Sequence, residues 1–234
     1  MPLKLSELQI EDFETMINHA NLYLPGENLI GMPTPLCWKV SSKLEAQERL
    51  RFHMAQQKRR FLGDRTAKYL KITDDESEEI ISLARWHFYP NGYVYAKEID
   101  WEVHNPVEGM PFPQGMNIEL HNFILRERDG ERRNWMVENE PCWILMHLVT
   151  RESQRGRGAA GMLVSWGVEK ARADDVPVYL EAAPLARPMY QKYGFQQIGE
   201  PFMLDLRPHG VDLDNFIAKM GILPTKSELP VPEC

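Results

Sequence analysis

Apolar and polar positions alternate most clearly over Ala67-Lys68-Tyr69-Leu70-Lys71-Ile72, which reads as a half-buried β-strand. An acidic turn from Asp74 to Ser77 follows, and Glu79 to Tyr89 returns as the second arm of a hairpin closed by Pro90-Asn91-Gly92. Trp143 to Val149 is a continuous apolar run of strand length, and Pro2 to Leu8 suits a short edge strand. Helical spacing appears elsewhere. Ile10, Phe13, Met16 and Ile17 mark a first helix, and residues 42–62 a second, with Leu44, Leu50, Phe52 and Phe61 as packing positions. Met116 to Arg133 reads as a third helix through Ile118, Phe123, Ile124 and Leu125, its charged end from Arg126 to Arg133 being a solvated face.

From residue 142 the order becomes strand (142–150), Gly-rich turn (155–160) and a helix of about 158–173 packing through Met162, Leu163, Trp166 and Val168. A strand over 176–181, a short helix ending near Tyr190 to Phe195 and a closing strand over 197–206 complete it. Residues 21–40 and 91–115 are rich in proline and glycine, and a connection as long as the second is often functional. Leu213 to Met220 carries a short helical pattern before a proline-containing end expected to be loosely held. The expected organisation is one domain over 1–207, with a loop-plus-helix insert at 91–140, and a tail over 208–234.

Composition narrows the class. With 234 residues, 43% hydrophobic and 26% charged, the chain has the make-up of a globular protein with a sizeable core. A net charge of −7 disfavours general nucleic-acid binding, which needs a basic surface. No apolar run approaches a membrane span, and the first residues lack an apolar signal core, so a cytoplasmic or nuclear location is expected. Cys37, Cys142 and Cys234 are far apart and odd in number, which suits a reducing compartment. The histidine spacings suggest no metal site.

The sharpest chemical signal is Arg155-Gly156-Arg157-Gly158-Ala159-Ala160, lying between an apolar strand and a helix. Two glycines let backbone approach an anion, and a helix N-terminus aims N–H groups and a favourable dipole at it. Arg155 and Arg157 add charge-assisted donors. No Lys-Ser/Thr follows, as a Walker loop requires, nor is there a dinucleotide G-x-G-x-x-G.

Together with Leu148-Val149-Thr150 before it and Ala186, Tyr190, Lys192, Gly194 and Phe195 after it, this turn resembles the GNAT superfamily of acyl-CoA N-acyltransferases. The strong match covers roughly 142–196; Arg85 to Tyr89 and the long middle insert further resemble fungal members. The resemblance implies an α/β (α+β) fold: a central mixed, mostly antiparallel sheet flanked by helices, with splayed strands forming an acyl-CoA cleft. It implies acetyl-CoA as acyl donor and a small-molecule amine as acceptor, in a monomer or homodimer. Leu148, Val149 and Thr150 would meet the pantetheine amides. Arg155, Gly156, Arg157, Gly158, Ala159, Ala160 and Gly161 would hold the pyrophosphate. Tyr190 would protonate the leaving thiolate and lie beside the sulfur. The segment between Glu181 and Tyr190 is shorter than usual and lacks the common Asn, which leaves Arg187 as a substitute contact.

The base is the open position. The strand positions facing substrate are Ile144 and Met146, which cannot accept a proton. His147 lies between them, and simple alternation turns it away unless a bulge re-aims it. His147 and Glu181 are the candidate bases, with Glu119 and His87 behind them, and an amine of low pKa would need none. Trp86, Glu119 and Trp143 are candidate substrate contacts, Trp101 and Phe112 further aromatic ones. The alternatives are an acetyltransferase of protein lysines or N-termini, and a non-catalytic acyl-CoA sensor.

Overall fold

Among the described residues, eight strands and four α-helices follow the apolar patterns described above. The computed structural model describes residues 2–16, 29, 40–93, 115–137, 139–211 and 214–224. The strands are β1 (Leu3–Glu7), β2 (Ala67–Asp74), β3 (Ile80–Tyr89), β4 (Cys142–Thr150), β5 (Val178–Ala182), β6 (Gln196–Gln197), β7 (Phe202–Asp205) and β8 (Asp214–Ile222). Their order in the sheet is β1-β2-β3-β4-β5-β8-β6, with β7 also on β8. Every pairing is antiparallel except that of β4 with β5. The helices are α1 (Lys43–Gly63), α2 (Ile118–Arg132), α3 (Ala159–Asp174) and α4 (Arg187–Gln191), and Ile10–Met16 is a 3-10 helix.

One face of the sheet is covered by α3. Trp86 is fully buried there, and its indole N–H donates to the Leu163 carbonyl of α3 at 3.1 Å. Its ring lies so close to Gly167 that an added Cβ would stand 2.2 Å from it, which is why the helix carries a glycine mid-length despite the propensity cost. Trp143 packs on the same face, stacked on Phe88 and edge-on to Trp166, with its N–H on Asp174 at 2.8 Å.

On the other face lies α1. Ser42 caps it by accepting from Glu45 N–H, while the Glu45 carboxylate accepts from Ser41 N–H at 2.7 Å, so two orphan donors are satisfied reciprocally. Leu50 is buried in a cluster with Phe13, Tyr69 and Leu83, against which Phe61 packs. Leu44, expected to pack, is 66% exposed: it sits in the first turn, off the buried face.

The sharpest difference from the sequence reading is at the C-terminal end. Residues 214–222 form a strand, not a helix, and it lies inside the sheet between β5 and the short β6 and β7 strands. Leu213, Phe216, Ile217 and Met220 mimic a helical period, but pairing with β5 decides the outcome, so this stretch is no peripheral tail. The closing strand expected over 197–206 is split into β6 and β7.

Gly167→Ala is expected to lower stability by about 1–3 kcal/mol, because the methyl must displace a locked indole. Gly130→Ala, in α2 where an added Cβ meets nothing within 4 Å, is neutral or stabilising. Urea unfolding of the two variants checks the contrast, and equal midpoints would refute it.

Candidate active site

The site forms where β4 leaves β5. Their parallel ladder holds only Trp143–Val178, Ile144–Tyr179 and Leu145–Leu180. Immediately beyond it β4 carries a bulge: Arg85 of β3 pairs with His147, but Trp86 pairs with Leu145, so Met146 is the extra residue. The bulge resets the alternation. Leu145 and Leu148 pack on the α3 face, whereas Ile144 and Met146 pack on the other, and His147 joins them opposite Arg85.

Past the bulge β4 has β3 on one side and, among the described residues, no strand on the other. Arg151 N–H donates to Ile81 O at 2.9 Å, and Val149 O accepts from the Ser82 hydroxyl at 2.7 Å, so residues 149 and 151 are turned to β3. By alternation the backbone groups of Leu148 and Thr150 face the open edge. Of the three residues expected to meet a pantetheine arm, two therefore offer their main chain and Val149 does not.

The Gly-rich turn closes this edge. Gly156 (φ +81°) and Gly158 (φ +86°) adopt the left-handed conformation, and a Cβ at either would meet nothing within 4 Å, so the space above the turn is open. Gly158 precedes α3 and no side chain caps the helix. Met162 N–H bonds to Gly158 O, which leaves the Ala159, Ala160 and Gly161 N–H groups as the helix's orphan donors. Arg155 is 62% exposed beside Glu152. Arg157 differs from expectation: its guanidinium is held by Asp74 of β2 at 2.6 Å and by Gln154 at 2.5 Å, so it pins the turn to the sheet. Tyr193 follows α4 and lays its hydroxyl over Gly161, where a Cβ would come within 1.9 Å.

Tyr190 of α4 is buried in the α3-side core, edge-on to Phe195 with ring centroids 6.0 Å apart. Its hydroxyl makes no hydrogen bond among the described residues, and burial pushes its pKa up to about 12. It is a phenol that keeps its proton at neutral pH. Arg187 opens the helix.

On the opposite face, beside the bulge, is a cavity of about 190 Å³ whose lining includes Met146, Arg60, Arg85, Arg128, Arg132, Asp64 and His87. Glu181, the first β5 residue past the ladder, is gripped from α2 by Arg128 (Nε at 2.7 Å, and Nη2) and by Arg132 (Nε at 2.7 Å). Burial alone would raise its pKa, but the guanidiniums of Arg128 and Arg132 and their hydrogen bonds outweigh it and hold the carboxyl at about 2. Glu181 is thus a charge partner, not a base, and the expectation for it is corrected. The end of α2, read as a solvated face, is corrected too: Asp129 and Arg132 are buried. An i, i+4 pair of arginines beside Leu125 was the available signal.

His87 sits in a chain of contacts: Thr66 donates to Asp64 at 2.7 Å and meets His87 Nδ1 at 2.9 Å. Its Nε2 is buried without a partner, as is that of His147. Burial first, then the Arg85 charge, pushes His87 down to about 3 and His147 to about 4. Both stay neutral, and neither has the basicity to take a proton from an ammonium group.

The aromatic and acidic substrate contacts are corrected. Trp86 and Trp143 lie in the α3-side core with satisfied N–H groups, on the far face from the cavity. Glu119 is exposed in the first turn of α2. Trp101 and Phe112 lie outside the described residues. Among the described residues no group of His, Cys, Asp and Glu could hold a metal ion.

Residues 136–206 match the family model described as an acetyltransferase (GNAT) domain. A probable acyltransferase, SID5, of Ajellomyces capsulatus is 28% identical over 75 residues. That match covers 32% of this chain and 55% of the relative, so the alignment spans about half the length of that curated protein. A Corynebacterium glutamicum structure titled as histone acetyltransferase HPA2 and related acetyltransferase superposes with a TM-score of 0.56 at 17% identity, covering 98% of this chain and 100% of that one. The Drosophila melanogaster polyamine N-acetyltransferase, which forms N-acetylagmatine, gives 0.55 at 13% over 95% and 100%. Arylalkylamine N-acetyltransferase 2 of Aedes aegypti gives 0.57 at 11% over 95% and 99%. At these identities the likeness is one of fold: an open sheet flanked by helices.

The buried imidazoles set an acid limit. His53 and His87 are held at about 3, His121 and His147 at about 4, each chiefly by burial, against an ordinary 6.5. Between those values the unfolded chain binds the extra proton, so stability falls as pH drops below 6.5. Each histidine contributes up to about 1.4 kcal/mol per pH unit. Glu181 adds a second loss below pH 4.5. Urea midpoints at pH 7.5, 6, 5 and 4.5 check this; a flat series would refute it.

Proposed function

We propose, from the match of residues 136–206 to the GNAT acetyltransferase domain model, that the protein is an acetyl-CoA-dependent N-acetyltransferase acting on the primary amine of a small molecule. The observation that carries the reading is the open edge of β4 running into the Gly156–Gly158 turn. Leu148 and Thr150 present main-chain donors and acceptors suited to the amides of a pantetheine arm, which pairs as an added strand. The orphan N–H groups of Ala159, Ala160 and Gly161 suit a pyrophosphate, with Arg155 free to add charge.

The chemistry follows from what lies on each side of that edge. Attack of a neutral amine on the thioester carbonyl gives a tetrahedral oxyanion, and the outward N–H near Leu148 is the donor placed to stabilise it. Collapse expels the thiolate, which takes the Tyr190 proton. The proton lost by the attacking nitrogen goes to water. No side-chain base is assigned, because the cavity's arginines disfavour an ammonium ion and admit the amine as its free base.

Tyr190→Phe is expected to lower turnover about ten- to a hundredfold in a thiol-release assay with acetyl-CoA and an amine panel. Unchanged turnover would remove Tyr190 from the reaction. Gly158→Val places a β-branched residue at positive φ and should abolish acetyl-CoA binding by calorimetry; normal affinity would count against the cleft. The kcat/KM profile should rise with pH up to the acceptor amine's own pKa, and a plateau starting near pH 6–7 would point to a side-chain base instead.

A further inference from the structure

Four arginines converge on the cavity behind the β4 bulge from separate elements: Arg60 from α1, Arg85 from β3, Arg128 and Arg132 from α2. Three carboxylates answer them among the described residues. Glu181 binds both α2 arginines, Asp129 lies 3.9 Å from Arg132, and Asp64 acts electrostatically on Arg60. Arg85 is the guanidinium left over. Its Nη1 donates to the neutral Gln57 amide oxygen at 3.2 Å, and its Nε is buried with no hydrogen-bond partner among the described residues. Nε and the adjacent Nη2 form the edge of a guanidinium that grips a carboxylate two-pronged. An unpaired charge and an unmade hydrogen bond in a partly buried site both cost stability unless a ligand completes them.

We propose that this cavity is the acceptor subsite of the reaction above and that Arg85 receives a carboxylate carried by the amine substrate. The inference rests on the acetyltransferase reading and deepens it: the acceptor is a small amino acid in the chemical sense, not a polyamine or a plain alkylamine. Position supports it. Arg85 is paired with His147 directly beside the bulge, one strand spacing (~4.8 Å) from the strand whose far edge is open to the acyl donor. A carboxylate held there leaves an amine a few bonds away to reach the thioester. Size supports it as well, since about 190 Å³ lies below the ~300–1,000 Å³ of pockets for drug-sized ligands. His87 and His147 are held neutral chiefly by burial, and the Arg85 charge adds to the effect at both. That positive charge repels a second ammonium group and attracts an acid, so it selects between acceptors by charge.

The test uses matched acceptors: β-alanine against ethylamine, 4-aminobutyrate against propylamine, 6-aminohexanoate against pentylamine, in the thiol-release assay. At least one amino acid should exceed its decarboxylated partner at least tenfold in kcat/KM at equal free-base concentration. Arg85→Gln should collapse that ratio to near one through KM, and Arg85→Lys should restore part of it. Alkylamines preferred by the wild type, or a ratio that survives Arg85→Gln, overturns the proposal. A turnover-free measurement separates it from the enzymatic reading: binding of 4-acetamidobutyrate and N-propylacetamide to the CoA-loaded protein by calorimetry. Tenfold tighter binding of the acid, lost in Arg85→Gln, upholds the subsite even if no amine is acetylated. Equal or absent binding of the acid overturns it even if some amine is.

Discussion

The bulge at Met146 is the constraint on which the rest of the molecule turns. An extra residue in a strand bends it and increases its twist, and here it falls one residue after the β4–β5 ladder ends at Leu145. Without it, β4 would keep strict alternation and could follow β5 further. With it, Met146 and His147 share one face, Leu148 returns to the α3 core, and a half-buried length of β4 has a partner strand on one side only among the described residues. That length is only half-buried, so water can meet its polar groups where no strand does. The Gly158 turn and the start of α3 follow that length in the chain, and Tyr190 shares the α3-side core against which Leu148 packs.

A different economy governs the other face. Burying Glu181 costs desolvation, which the attraction of Arg128 and Arg132 outweighs, so the cluster holds only while the carboxyl stays ionised. What the cluster provides is orientation: α2 is held to β5 just where the sheet opens, and the cavity receives a fixed positive field. Burial first, and then that field, keeps the neighbouring imidazoles uncharged. The open β4 edge thus offers uncharged main-chain groups, while the cavity behind the bulge is lined by charged side chains.

Local chemistry was the part legible in sequence. The hairpin of β2 and β3, the β4 run and the Gly156–Gly158 turn depend on residues adjacent in the chain, and alternation and glycine spacing reveal such things. What escaped depends on partners far apart. Trp86 and Trp143 look like pocket aromatics until Gly167 and Asp174 are seen to receive them. Arg128 and Arg132 look solvated until Glu181 arrives from another strand. The 214–222 stretch has an apolar spacing that fits a helix, and only the unsatisfied edge of β5 makes it a strand. Arg85 stood in plain view as a charge among apolar strand residues and, with the i, i+4 arginines of α2, could have pointed to the cavity.

The place of β8 has a consequence for how the molecule is made. β5 has a ladder of only three residue pairs on its β4 side, and its other edge is covered by β8, which is synthesised later. While the chain grows, an apolar strand (Val178, Leu180, Ala182) with an open edge waits for a partner that has not yet emerged. Such edges are where chains pair with one another, and pairings distant in sequence form slowly. Closure of the sheet is a late event, and the nascent chain is most exposed to aggregation in the interval before it.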